Sequence, residues 1–196
     1  MKKHITFLSS IMVFMVLVAF TPVSDSDGFY RVDTKTSKIE WAGTKITGKT
    51  HVGTVNLSEG GLQLTDGVIT GGKFTIDMTS ITSTDLDGAM KGKLEGHLKH
   101  EDFFNVDKFK TASIAIVSVD ADNVKANLTI KGITNEVVFP VKVVIADSGQ
   151  LTATANIEID RAKYDVRYGS DSFFDNLGNK AIDNVLKFKI SLKGAK

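Results

Sequence analysis

From residue 28 onward the apolar side chains fall mostly at alternate positions. Phe74, Ile76 and Met78 are separated by Thr75 and Asp77, Leu128 and Ile130 flank Thr129, and Ile157 and Ile159 flank Glu158. Leu186, Phe188, Ile190 and Leu192 alternate with Lys187, Lys189 and Ser191. A period of two places one face of a strand in a core and the other in water, as antiparallel sheets require. Strands are predicted at 29–33, 37–46, 50–58, 61–65, 67–80, 110–120, 123–131, 134–146, 150–160 and 184–193. Glycine pairs punctuate them. Glu59-Gly60-Gly61, Asp66-Gly67 and Ser148-Gly149 read as hairpin turns or bulges, and Gly71-Gly72 as a bulge inside its strand. Pro140 removes a ladder donor, which suggests an edge or a bulge and an imperfect closure there.

Two stretches break the alternation. Residues 86–101 carry Leu94 and Leu98 four apart among lysines and Glu95, the spacing of one helical face, with Asp85 or Asp87 able to cap the start. Glu101-Asp102-Phe103-Phe104 follows. Residues 161–183 hold Tyr164, Tyr168 and Phe173-Phe174 without clear periodicity, a length more typical of a lid or irregular covering than of a plain connection. The prediction is an all-β domain with one short helix. So many strands must hide their edges, and closing into a barrel does so directly.

The chain start is of another kind. Lys2 and Lys3 precede the apolar run Ile11–Phe20, and small polar residues follow to Gly28. Residues 1–26 are therefore expected to be a secretory signal peptide, cleaved after Ser24 or Ser26, because the apolar run is shorter than the ~20 residues of a spanning helix. Residues 27–196 are expected to form a single domain, exported to the periplasm or secreted. With no cysteine, the chain has neither a lipid-carrying cysteine nor disulfides, so its stability must come from a packed core. The 24 basic and 23 acidic residues nearly cancel, and no basic tract concentrates charge. Nucleic-acid binding is not expected.

Residues with chemical potential are few. His97 and His100 stand at the expected helix end, where they suit the dipole better than a metal site, since zinc needs a third well-placed ligand. His51 lies in a strand and reads either as a polar group at a barrel mouth or as a surface residue. Arg161 follows the strand ending at Asp160, so it reads either as a rim contact to a ligand head group or as an ion pair with a neighbouring aspartate. No serine sits in a Gly-x-Ser-x-Gly elbow, and no glycine loop suited to phosphate precedes a helix. Catalytic residues and metal ligands are therefore not assigned.

The order of the motifs resembles the YceI-like family of bacterial polyisoprenoid-binding proteins. Tyr30–Asp33 and Ser37–Trp41 look like its opening strands, and His51–Thr54, Gly72–Asp77 and Met78–Ile81 follow in order. Leu94–Asn105 is the most specific match, Asn127–Thr134 another, and Arg161–Tyr164 with Ala181–Val185 completes the series. Lys110 departs from it where the family often has proline. The resemblance implies an extended, lipocalin-like antiparallel barrel holding an isoprenoid lipid, of the quinone or polyprenyl phosphate type, without a required cofactor or catalytic residue. The expected apolar lining is Trp41, Phe74, Ile76, Met78, Ile114, Ile116, Leu128, Ile130, Phe139, Ile157 and Ile159. Leu94, Leu98, Phe103 and Phe104 are expected beside the helix at one end, with His51, Arg161 and Tyr164 as weaker candidates for the polar end. Transient membrane contact and a homo-oligomer are left open. Two other readings stand beside the carrier: an enzyme acting on a lipid-like substrate in the same cavity, and a stress-related structural or interaction barrel whose interior is filled.

Overall fold

The computed structural model describes residues 26–196, so the expected signal peptide lies outside the described residues apart from Ser26. Among the described residues nine strands and one α-helix follow in order: β1 (Gly28–Val32), β2 (Lys38–Lys45), β3 (Thr50–Thr65), β4 (Val68–Ser83), α1 (Gly88–Lys99), β5 (Thr111–Asp120), β6 (Asn123–Ile130), β7 (Ile133–Ile145), β8 (Leu151–Asp160) and β9 (Ile182–Ala195). From β2 to β9 each strand pairs antiparallel with the next, and β9 pairs back onto β2, so eight strands close into a barrel. β1 lies between β3 and β9 beyond the start of β2, pairing with Gly61–Leu64 on one side and Gly194–Ala195 on the other. β1 and β2 are thus two halves of one stave, split by the turn at Asp33–Ser37.

The alternation is realised as inward and outward faces. Along β6, Val124, Ala126, Leu128 and Ile130 are buried, and the residues between them are not. Asp66-Gly67 is a tight turn with φ of 53° and 74°, and Gly149 turns β7 into β8 at φ 80°. The register slips at Gly71, which is the bulge expected there.

Glu59-Gly60-Gly61 is not a hairpin turn. β3 runs through it as one strand, with a register shift between Leu57 and Glu59 against β4. The glycines make room for rings: a Cβ on Gly60 would stand 2.2 Å from Phe74, and one on Gly61 would stand 2.2 Å from Phe29. Gly53, opposite Trp41, is tighter still, since its Cβ would meet the Thr82 carbonyl oxygen at 1.9 Å and the indole at 2.4 Å.

Pro140 marks a change of partner. β7 pairs with β6 from Ile133 to Pro140, whereas its pairing with β8 begins only at Val141. Beyond that point β7 and β8 part, and the 3-10 turn Arg161–Tyr164 covers the free edge, with Asn135 Nδ2 donating to the Lys163 carbonyl.

The two ends differ. Under β1, Tyr30, Leu64 and Leu151 are fully buried and fill the barrel. At the opposite end, α1, residues 100–110 and residues 161–181 lie across the strand ends. α1 is held by Glu95, whose carboxylate accepts from the Thr82 hydroxyl and the Ser83 amide. Asp87 occupies the N-cap position, but its side chain makes no capping bond, and Asp85 is committed elsewhere.

Candidate functional site

The barrel encloses a cavity of about 500 Å³, within the range of small-molecule pockets, and its wall is almost wholly apolar. β2 contributes Ile39 and Trp41, β3 Val55 and Leu57, β4 Phe74, Ile76 and Met78, and β5 Ile114 and Ile116. Leu128 and Ile130 of β6, Phe139 of β7, Ile157 of β8, and Leu186, Phe188 and Ile190 of β9 complete the ring. Along β3 the cavity runs from His51 to Leu62, a depth on the order of 25 Å for a strand tilted as barrel strands are. The interior is not filled by side chains.

Of the residues expected to form the apolar wall, all but Ile159 face the cavity, including Leu94 and Leu98 of α1 and the Phe103–Phe104 pair, whose rings meet edge to face at 4.9 Å. Ile159 is buried but off the cavity, two residues before the turn that fills that corner of the barrel. The alternation of Ile39, Val55, Leu57 and the β9 residues carried the same signal as the expected set. They could have been included on that ground.

The three polar candidates separate. His51 lies on the wall at the end near the β2–β3 turn, and its Nδ1 is 2.8 Å from Asp85 Oδ2. Burial alone would raise the Asp85 carboxyl, but bonds from His51, the Ser83 hydroxyl and the Val52 amide outweigh it and hold the group below its ordinary value.

Arg161 does not line the cavity, and among the described residues it makes no ion pair with an aspartate. Its guanidinium is fully buried and donates to four main-chain carbonyls: Nε to Asp183 at 3.1 Å, Nη1 to Val166 at 3.0 Å and Tyr168 at 2.8 Å, and Nη2 to Ile182 at 3.0 Å. The planar fork suits this role, since a turn that folds back on itself presents carbonyls rather than carboxylates. The guanidinium also lies 5.6 Å from the Phe103 ring, which ties the two loops together. Tyr164 is likewise buried away from the cavity, and burial pushes its hydroxyl above the ordinary phenol value. Lys131 assists, its ammonium donating to the carbonyls of Asp165 at 2.6 Å and Glu101 at 3.3 Å.

The open end is ringed by Lys45 and Lys49 from the β2–β3 turn, Leu86, Met90, Lys93 and His97 from the helical side, and Tyr168 and Ile182. His97 and Tyr168 pack ring on ring at 5.1 Å, and His100 pairs with Asp102 at 2.8 Å. Among the described residues no three histidine or carboxylate side chains converge on one point as a metal group. Nothing local in the sequence marked these lysines. They share one cavity mouth only because the barrel closes and α1 folds over its end.

Residues 30–193 match the YceI-like domain. The chain belongs to the YceI-like family. A UPF0312 protein of Staphylococcus aureus strain USA300 is 46% identical over 48 residues, which are 24% of this chain and 28% of that relative. The chain therefore matches little more than a quarter of the length of these curated relatives. The crystal structure of Burkholderia cenocepacia BcnA superposes with a TM-score of 0.67 at 19% identity, covering 83% of this chain and 98% of that one. A polyisoprenoid binding domain from Saccharophagus degradans, implicated in plant cell wall breakdown, gives 0.66 at 15% identity, covering 85% and 97%. The Campylobacter jejuni YceI protein gives 0.52 at 12%, covering 100% and 99%. At these identities the likeness is one of fold, and it agrees with the closed antiparallel barrel described above.

Proposed function

We propose that this YceI-like barrel binds and carries, or sequesters, an amphiphilic isoprenoid lipid of the quinone or polyprenyl phosphate type, without catalysing a reaction. The observation that carries this is an apolar cavity of about 500 Å³ whose charged and histidine wall residues gather at one end. A tail in the cavity gains about 0.8 kcal/mol per buried methylene, so a long chain needs no specific hydrogen bond to stay. The description of the Saccharophagus degradans relative as a polyisoprenoid binding domain supports the same ligand class. Export to the periplasm or outside the cell suits such a carrier and is part of the proposal. So is brief contact with a membrane at the open end, where Ile46 and Met90 are 65% and 60% exposed.

The test is organic extraction and mass spectrometry of the protein purified from its native cell envelope. An isoprenoid in stoichiometric amount is expected. Protein that is consistently empty, and that takes up no isoprenoid offered in detergent, refutes the proposal.

One observation favours a second reading. The His51–Asp85 pair at the open end is a geometry in which a carboxylate orients an imidazole for proton transfer. If the barrel acts on its lipid, His51→Ala abolishes turnover and leaves lipid uptake in place.

A further inference from the structure

We infer that the head group held at the open end is anionic, a phosphate or diphosphate on the isoprenoid, rather than a neutral quinone ring or alcohol. This rests on reading the barrel as a container for an amphiphile, and it narrows the class of guest.

The charge on the cavity wall is one-sided. Lys45, Lys49 and Lys93 line it together with His51 and His97, and no aspartate or glutamate does. In a chain whose basic and acidic residues number 24 and 23, such segregation is local rather than a reflection of composition. Some surface lysines pair with carboxylates, Lys38 with Glu40, Lys125 with Glu136 and Lys187 with Glu158, and others such as Lys73 and Lys142 do not, so it is the shared place of three lysines on one cavity wall that is distinctive. Lys45, Lys49 and Lys93 make no ion pair among the described residues.

Three carboxylates on the segments around the opening have other partners, among them Asp102, which shares a surface hollow with Lys93 and His97 and is bound to His100. Asp85 is bound to His51, Ser83 and Val52, and Glu95 to Thr82 and Ser83. Neither is free to neutralise the lysines. The backbone also fixes two of the three positions, because the Lys45 amide donates to the Lys49 carbonyl at 2.8 Å across the β2–β3 turn. The third comes from α1, which Glu95 anchors to β4.

Three lysines lining the exit of one apolar cavity match a group that carries more than one negative charge and several acceptor oxygens. A quinone ring or a hydroxyl offers them only weak acceptors. The low-dielectric wall behind the lysines strengthens attraction to an anion held at the boundary.

Trp41, the single tryptophan of the chain, lines the cavity and reports occupancy by its fluorescence. The experiment titrates the purified protein, below micelle-forming concentrations, with geranylgeranyl phosphate, geranylgeraniol and a quinone bearing the same tail. The phosphate is expected to bind at least about tenfold more tightly than either neutral compound, with the advantage shrinking as salt is raised. In the triple variant Lys45→Ala, Lys49→Ala, Lys93→Ala the ratio of phosphate to alcohol affinity is expected to fall to about one. The matching triple arginine variant, which keeps the charge, is expected to retain it, and circular dichroism checks that both remain folded. Equal affinity for phosphate and alcohol in the unaltered protein, or a ratio untouched by removing the lysines, overturns the inference and leaves the container intact. Binding of none of the three compounds overturns the container reading and the inference with it.

Discussion

Arg161 offers the sharpest test of how the open end is built. Its guanidinium sits behind the lid segments and holds four carbonyls, of which the bond to Val166 is wholly buried and the other three partly so. Replacing it by methionine keeps the length of the side chain and removes every donor. Leaving the Val166 carbonyl without a partner costs about 1–3 kcal/mol, and losing each of the other three bonds about 0.5–1.5 kcal/mol. Against this stands relief from burying a charge, which already pulls the guanidinium below its ordinary value. A net loss of about 2–4 kcal/mol follows, in keeping with the removal of other buried charged groups. Urea unfolding followed by circular dichroism should show the midpoint falling by about 1–2 M at a slope of ~2 kcal/mol/M. Arg161→Lys should lose roughly half as much, since an ammonium keeps the charge but cannot span the four acceptors. Trypsin should cut the methionine variant faster after Arg167 and Lys180, because those carbonyls tether residues 166–182. A midpoint within ~0.3 M of the parent's, with unchanged cleavage, would refute the account of Arg161 as the anchor of the lid.

Gly53→Ala should destabilise the barrel by about 3 kcal/mol or more and shift Trp41 emission to the red, because the new methyl meets a backbone oxygen that cannot swing aside. An unchanged emission maximum and midpoint would count against the packing described. Ile114→Trp should fill part of the cavity and lower isoprenoid uptake at least tenfold, with the melting temperature level or raised; unchanged uptake would show that the tail lies elsewhere. Acid should loosen α1 first. Glu95 is held below its ordinary value by the Thr82 hydroxyl bond, which outweighs its burial, and Asp85 likewise by its three bonds against a larger burial effect. A depressed carboxyl stabilises the fold above its unfolded value and ceases to do so as pH falls through the folded one, so the loss lies below about pH 4. Hydrogen exchange in residues 88–99 should rise there, and Glu95→Gln should remove part of that pH dependence. Equal acid response in the parent and the variant would refute it.

The barrel was legible because its strands need only a period of two, and Leu186 to Leu192 or Val124 to Ile130 keep it without interruption. The glycines of β3 misled because Gly-Gly carries one local meaning in a turn and another across from an aromatic ring. Only the pairing of Gly60 with Phe74 distinguishes them. The apolar wall was readable for the same reason as the strands, while the cationic rim was not. Lys45 and Lys93 lie far apart in sequence, and their neighbours resemble those of any surface lysine. Arg161 shows the converse: its position at a strand end suggested a rim, and the fold turned it inward because the chain curls back over it.

The plug beneath β1 has a consequence for what the vessel can measure. Tyr30, Leu64 and Leu151 close the far end, and Leu62 and Ile69 form the floor above them. A tail threaded from the lysine end meets that floor and can go no further. Affinity should climb with each isoprene unit until the tip touches bottom, then level off as further units are left outside. The short strand β1 would then act as the stop of a gauge, and the point at which the curve flattens would read out the depth of the barrel in carbon atoms.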